Sequence, residues 1–201
     1  MENLVHKLLP FNIALFLLIS FQTTFAQHSI AKILTPDYVE MQYAGSIGYM
    51  STGIGYRLSP EKTTLSFHYG YVPEVKGGEL HIAAVKFEYK PVSIRIKDKL
   101  IFHPINPGVF LSYTFGEQFG LKFDNGKYLN GYYFWSPALR EHISFSSEVQ
   151  ILGDGSSRIK SVSLYTEANT NDLYMISWWE NRTKTPIFQI FHLGFGVRMS
   201  F

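Results

Sequence analysis

The chain lacks cysteine altogether, and charged residues make up only 17% of its 201 positions. Without cysteine it can form no disulfide, so a folded domain must rely on packing and hydrogen bonds alone. Ordinary globular proteins carry about 25% charged residues, so this chain has little charged surface to offer water. Its net charge is only +2 and it contains no run of basic residues, so we expect no nucleic-acid partner.

Long hydrophobic runs are also missing after residue 27, and the one apolar stretch lies at the N-terminus. There Lys7 precedes the apolar segment Phe11–Phe21, and Thr24-Phe25-Ala26 forms a small-x-small cleavage site. This order is typical of a secretory signal peptide cut after Ala26. A membrane-spanning helix would need about 20 apolar residues, more than this run provides. The sequence therefore predicts a signal peptide at 1–26 and one exported domain at 27–201.

The chain is rich in aromatic residues, and in several segments apolar and polar residues alternate. Aromatics reach 16%, with 13 Tyr and 17 Phe. In residues 188–201 every second side chain is apolar, and those between are small, polar or charged. The apolar set is Phe191, Leu193, Phe195, Val197, Met199 and Phe201. A period of two indicates a β-strand with one apolar face.

The same alternation recurs along the chain and predicts about eight strands. The predicted ranges are 41–58, 63–72, 79–91, 109–115, 138–152, 159–168, 172–181 and 188–201. Within 41–58 the apolar phase changes near Met50, which indicates a bulge or a strand break. Residues 92–108 contain "IFHPINPG" and are predicted to be a loop. Residues 116–136 are interpreted as an excursion with interfacial aromatics that could hide a further strand.

Export, many aromatics, few charges and alternating strands together predict an all-β fold. The specific prediction is a closed antiparallel up-and-down transmembrane β-barrel of about eight strands, located in an outer membrane. At that size the interior is just wide enough to be filled by side chains, which disfavours a channel for small solutes. One feature disagrees, because 116–136 falls where a short periplasmic turn is expected. Either a strand is miscounted or the periplasmic segment is unusual.

Two segments carry a resemblance to a known class. The signal "LFLLISFQTTFAQ" and the terminal "HLGFGVRMSF" resemble those of small, eight-stranded outer-membrane β-barrel proteins of Gram-negative bacteria. The stretch "YLNGYYFWS" resembles uncharacterised outer-membrane proteins of the Bacteroidetes type. The resemblance implies contact with outer-membrane lipids and with the barrel-assembly machinery. That machinery would recognise Leu193, Phe195, Val197 and Phe201.

Polar residues of like parity are expected to face the barrel interior. On 138–152 these include Arg140 and Glu148, and on the last strand they are His192 and Arg198. Because a buried charge requires a partner, we expect Arg140 or Arg198 to pair with Glu148 or Glu167. The interpretation is a packed polar core of Arg140, Glu148, His192 and Arg198.

A hydrolase is the alternative. His142 and Ser144 share a strand face with Glu148, and a base, a nucleophile and an acid are the parts that acyl transfer requires. The pair resembles the His-x-Ser of outer-membrane lipid A deacylases. However, Phe145 follows Ser144 where that family has a polar residue, the spacing to Glu148 is too short, and the pair points inward.

No motif for a metal or an organic cofactor is found. The seven histidines are scattered without a ligand spacing, and no glycine loop precedes a helix. The sequence thus favours a non-enzymatic outer-membrane protein with a structural or interaction role, such as an accessory subunit that binds other envelope proteins.

Overall fold

The computed structural model describes residues 35–58, 62–116, 119, 136 and 138–201. The predicted signal peptide, and nearly all of the predicted excursion 116–136, lie outside the described residues. Asp37–Phe201 form one compact unit, and its described residues include nine strands, one α-helix and two short 3₁₀ turns. The strands are β1 (Tyr38–Ala44), β2 (Met50–Leu58), β3 (Thr63–Val72), β4 (Leu80–Tyr89), β5 (Ile94–Lys97), β6 (Leu100–Phe115), β7 (Leu139–Leu152), β8 (Ser161–Asn171) and β9 (His192–Ser200). The helix is α1 (Asp172–Asn181), and the 3₁₀ turns are Glu74–Lys76 and Ile187–Ile190.

Eight of these strands close into an antiparallel barrel. Each of β1, β2, β3, β4, β6, β7, β8 and β9 pairs with the next in this order, and β9 pairs with β1. The closing ladder runs from Tyr38 opposite Ser200 to Ala44 opposite Gly194. The short strand β5 pairs only with the start of β6. The prediction of an all-β, closed, antiparallel barrel of eight strands is confirmed.

The predicted strand 41–58 is in fact two strands joined by a turn. Gly45 has a φ of +88°, a conformation that favours glycine, and the Ala44 N–H donates to the Tyr49 carbonyl oxygen at 2.9 Å. The change of apolar phase near Met50 marks this hairpin, because the outward parity restarts after the turn.

The predicted loop 92–108 is wrong, since most of it belongs to β5 and to the first half of β6. Pro104 and Pro107 are tolerated there for a topological reason. Pairing of β6 with β5 ends at Phe102 and pairing with β4 begins at Gly108, so neither proline has to donate to that side of the sheet. A register shift between His103 and Asn106 marks a bulge on the β7 side.

The predicted strand 172–181 is also wrong, because these residues form α1. The Asn171 side chain accepts a hydrogen bond from the Tyr174 N–H at 2.9 Å, and Asp172 lies in the first turn. An asparagine N-cap and an acidic first turn both stabilise a helix start.

Dividing 41–58 adds one strand and replacing 172–181 by a helix removes one, so the strand count stays at eight. The added hairpin also removes the conflict over residues 116–136. With the first hairpin added, the connections 45–49, 73–79 and 172–191 lie at the same end of the barrel as the end of β6 and the start of β7, and this is here called the long-connection end. The connections 90–99 and 153–160 lie at the other end, together with the end of β2, the start of β1 and the end of β9, and this is here called the termini end.

Candidate functional site: the charged interior of the barrel

The barrel has a polar inside and an apolar outside. Among the described residues, 23 buried side chains are polar or charged and only eight are hydrophobic, whereas 35 large hydrophobic residues are exposed. Burial alternates with exposure along every barrel strand, as in β8, where Ser163, Tyr165 and Glu167 are buried. The usual arrangement of a water-soluble domain is therefore reversed.

Arg198 of β9 is the centre of the interior. Its guanidinium donates to Glu40 at 2.9 Å, to Glu88 at 3.2 Å and to Glu148 at 2.8 Å. Two tyrosine rings flank it, with centroids 4.7 Å away for Tyr38 and 5.3 Å away for Tyr165. Guanidinium groups suit such a place because they hydrogen-bond in a planar fork and stack on aromatic rings.

Glycines opposite the two tyrosines make room for this arrangement. A Cβ added at Gly55 would lie 1.9 Å from Tyr38 Cζ, and one at Gly196 would lie 2.2 Å from Tyr165 Cζ. Neither ring could keep its place over a larger residue. The Tyr165 hydroxyl also donates to Gln42 Oε1 at 3.0 Å, which fixes the ring.

Every carboxylate of the cluster has a cationic partner. Glu148 also accepts from Lys90 Nζ at 2.5 Å, and Glu167 pairs with Lys86. Glu40 lies 2.9 Å from His68 Nε2 in addition to its bond with Arg198. Such matching is what buried charges require, because an unpaired one costs several kcal/mol.

An apolar layer closes the interior toward the long-connection end. Ile47, Ile82, Ala84 and Phe110 form a buried cluster there. The His142 ring stacks on Phe110 with centroids 4.1 Å apart. At the termini end a cavity of about 90 Å³ remains, lined in part by Arg57, Lys90 and Arg198. In the described part of the chain, side chains thus fill the interior.

The residues predicted for the polar core separate into two groups. Glu148 and Arg198 lie in the interior and bind each other. Arg140 is instead near Asp172, 3.5 Å from Nη1 to Oδ2, toward the long-connection end. His192 was predicted to face the interior, but it is exposed, with its ring 5.1 Å from that of Tyr174.

Most of the charged cluster was not predicted from the sequence. The residues missed are Glu40 and Glu88, which bind Arg198, the two tyrosines that flank Arg198, and Lys86, which pairs with Glu167. By parity Lys86 and Glu88 share one side of β4 with the apolar Ile82 and Ala84, so the sequence does not mark that side as polar. Glu40 preceded the predicted first strand. The available signal for Glu40 is its position between Tyr38 and Gln42 in a period of two, which places all three side chains on the same face of β1.

The alternative catalytic residues do not form a triad. His142 Nε2 hydrogen-bonds to Ser112 Oγ at 2.9 Å. Glu148 is held by Arg198 and Lys90, and it lies four positions along β7 from Ser144, a distance of about 13 Å along the strand. Across the described residues no group of three or more His, Cys, Asp or Glu side chains could hold a metal ion.

The residues of the expected assembly signal lie on the outside of β9. Leu193, Phe195 and Val197 are exposed on the outer wall, and Phe201 follows the strand and is exposed as well. The Phe201 N–H donates to the Asp37 carbonyl oxygen at 2.9 Å, so the backbone ladder extends to this residue.

Of the described helices, none has the length and apolar character to cross a membrane. The comparisons with known proteins gave no match, whether with a protein family, a curated protein or a solved structure.

Proposed function

We propose that this chain is an integral outer-membrane β-barrel protein with a structural or interaction role. The observation that carries the proposal is the apolar outer wall. All eight barrel strands contribute a large exposed apolar residue to it. One from each strand in turn is Met41, Ile54, Phe67, Val85, Val109, Ile143, Leu164 and Val197. Soluble monomers rarely expose a contiguous apolar patch of more than a few hundred Å².

The ends of the wall support the same proposal. Tyr43, Tyr71 and Phe115 lie outward near the long-connection end, and Tyr89 and Phe201 lie outward near the termini end. Aromatic girdles flank the apolar band of outer-membrane barrels. In such barrels the short turns face the periplasm and the long connections face outward, so the termini end would be periplasmic.

The filled interior favours a non-enzymatic role over transport or catalysis. Arg198 and its carboxylates occupy the centre, where a solute would have to pass. His142 and Ser144 have no geometry that would activate the serine hydroxyl. The proposed partners are therefore outer-membrane lipids, the barrel-assembly machinery, and other envelope proteins to which this chain is an accessory subunit.

Cell fractionation tests the membrane part of the proposal. The full chain should sediment with outer membranes, resist extraction by alkaline carbonate and by urea, and need detergent to stay monodisperse. It should also migrate differently on gels before and after boiling, as folded barrels do. A chain that stays monodisperse in buffer without detergent would refute the proposal.

The role is tested by purification and by two variants. Affinity purification from detergent-solubilised outer membranes should recover a stable complex with other envelope proteins. His142→Ala and Ser144→Ala should each leave the mass spectrum of lipid A unchanged, as should deletion of the gene. A shift in the spectrum that both variants share with the deletion would instead support the hydrolase.

A further inference from the structure

The connection between β8 and β9, residues 172–191, exposes an unusual number of large apolar side chains. They are Leu173, Tyr174, Ile176, Trp179, Ile187 and Phe188. Trp179 is 63% exposed and Phe188 71% exposed. Four of them belong to α1 and two to the 3₁₀ turn Ile187–Ile190, so they are spread along the whole connection.

The helix itself is apolar over most of its surface. Its ten residues, DLYMISWWEN, include only four polar ones, of which Ser177, Glu180 and Asn181 share one side near its end. A helix with so wide an apolar surface normally packs that surface against apolar surroundings. Here Asp172 is its only buried residue. Among the described residues, therefore, little covers the apolar side of α1.

The position of α1 indicates what that surrounding is. A groove of about 620 Å³ is lined by Asp172 and Met175 of α1 together with Val109, Leu111 and Ile143 of the outer wall. Hence the first turn of α1 lies beside the wall, close to the point where the buried Phe110 and His142 also reach the groove, and α1 begins where β8 ends. Its apolar surface is continuous with the surface that we propose faces acyl chains.

The composition of the connection matches the boundary between acyl chains and headgroups. The Trp178 indole N–H donates to the Thr185 carbonyl oxygen at 3.0 Å, and the Arg182 guanidinium lies 4.8 Å from the Trp179 ring centroid. Lys184 is exposed nearby. Tryptophan and tyrosine prefer this boundary, and basic side chains reach the lipid phosphates from it.

We propose that residues 172–191 form an interfacial anchor, with α1 lying among the headgroups of the outer leaflet. The inference rests on the proposed membrane location of the barrel. The occupant of the apolar surface is lipid, with Arg182 and Lys184 near its phosphate groups.

The test uses the absence of cysteine from the chain, because single-cysteine variants can be spin-labelled without background. Phe188→Cys and Ile176→Cys report on the connection. Leu164→Cys reports on the outer wall. Val75→Cys is the matched water control, since Val75 is an exposed apolar residue on another connection at the same end. Each full-length protein is reconstituted into vesicles of phosphatidylcholine and phosphatidylglycerol, and its folding is verified by gel migration.

The measurement is the accessibility of each label to oxygen relative to a water-soluble nickel complex. Oxygen concentrates in apolar surroundings and the complex stays in water, so labels at Phe188 and Ile176 should exceed Val75 by roughly threefold or more. They should remain below Leu164. Values equal to that of Val75, with Leu164 high, would overturn the anchor but not the membrane barrel. Low values at Leu164 as well would overturn both.

Labels at Phe188 and Ile176 that neither reagent reaches would also overturn the anchor, since they would indicate protein contact. Two reporters are used because either substitution alone could disturb the connection. Agreement between them is required for the expected result.

Discussion

Removing the Arg198 guanidinium should destabilise the barrel by about 3–5 kcal/mol, the usual cost of deleting one partner of a buried ion pair. In Arg198→Met, Glu88 loses the one ion-pair partner it has among the described residues, whereas Glu148 keeps Lys90 and Glu40 keeps its contact with His68. At least the Glu88 carboxylate is thus left without an ion-pair partner in the interior. The contacts with the Tyr38 and Tyr165 rings are lost in addition, at about 0.5–2 kcal/mol each in general.

The assay is denaturant unfolding in detergent micelles, followed by tryptophan fluorescence. Arg158→Met is the matched control, because Arg158 is exposed in the connection 153–160 and its removal should change the free energy of unfolding by no more than about 0.5 kcal/mol. Arg198→Met combined with Glu88→Gln should recover part of the loss, since the orphaned charge is removed. A loss below about 1 kcal/mol for Arg198→Met would refute the view that this cluster holds the interior together.

Two further substitutions test the packing and the assembly of the barrel. Gly196→Ala should lower the free energy of unfolding by about 1–3 kcal/mol or more, because its Cβ would overlap the Tyr165 ring. Adding Tyr165→Ala should relieve the clash, so the two effects should not add in a double-mutant cycle. Additive effects would contradict the packing of Tyr165 against Gly196. Phe201→Ser should lower the yield of folded barrel in cells, measured by gel migration, although it should cost the refolded protein no more unfolding free energy than Met199→Ser does, about 1.5–3 kcal/mol. Met199→Ser, on the same outward face but outside the proposed signal, is its control, and an equal loss of yield in both variants would remove the special role of Phe201.

Alternation, taken together with the many aromatics, the few charges and the predicted export signal, was enough to predict the barrel, and alternation gave the side on which most residues lie. The inward set of β7 and the outward sets of β3 and β9 follow from a period of two, because the wall and the interior differ sharply in polarity. The strand boundaries were less predictable. Pro104 and Pro107 indicated a loop, and only the pairing gap beside β6 explains why a strand accepts them.

The charged cluster could not be predicted in detail because its contacts join distant parts of the chain. Arg198 reaches Glu40, Glu88 and Glu148 across 158, 110 and 50 residues of sequence. Parity gives the side of the sheet but not the level along the barrel axis, which depends on the register of every ladder. The helix was missed for a different reason, since its apolar run fits a strand, and only the Asn171-Asp172 capping signal distinguishes the two.

The polar interior and the apolar outer wall together determine the environment in which the barrel is stable. Inside, buried charges are held by partners from β1, β4, β7, β8 and β9, so the cluster exists only when the barrel is closed. Outside, each side chain of the size of Leu164 or Phe195 gains about 1.5–3 kcal/mol when it is removed from water. Folded proteins are stable by only about 5–15 kcal/mol, so the cover of a wall with eight contributing strands outweighs any single interior contact. If acyl chains supply that cover, closure of the sheet and its transfer into the membrane are one coupled step, and variants that weaken Arg198 should lose membrane insertion and folding together.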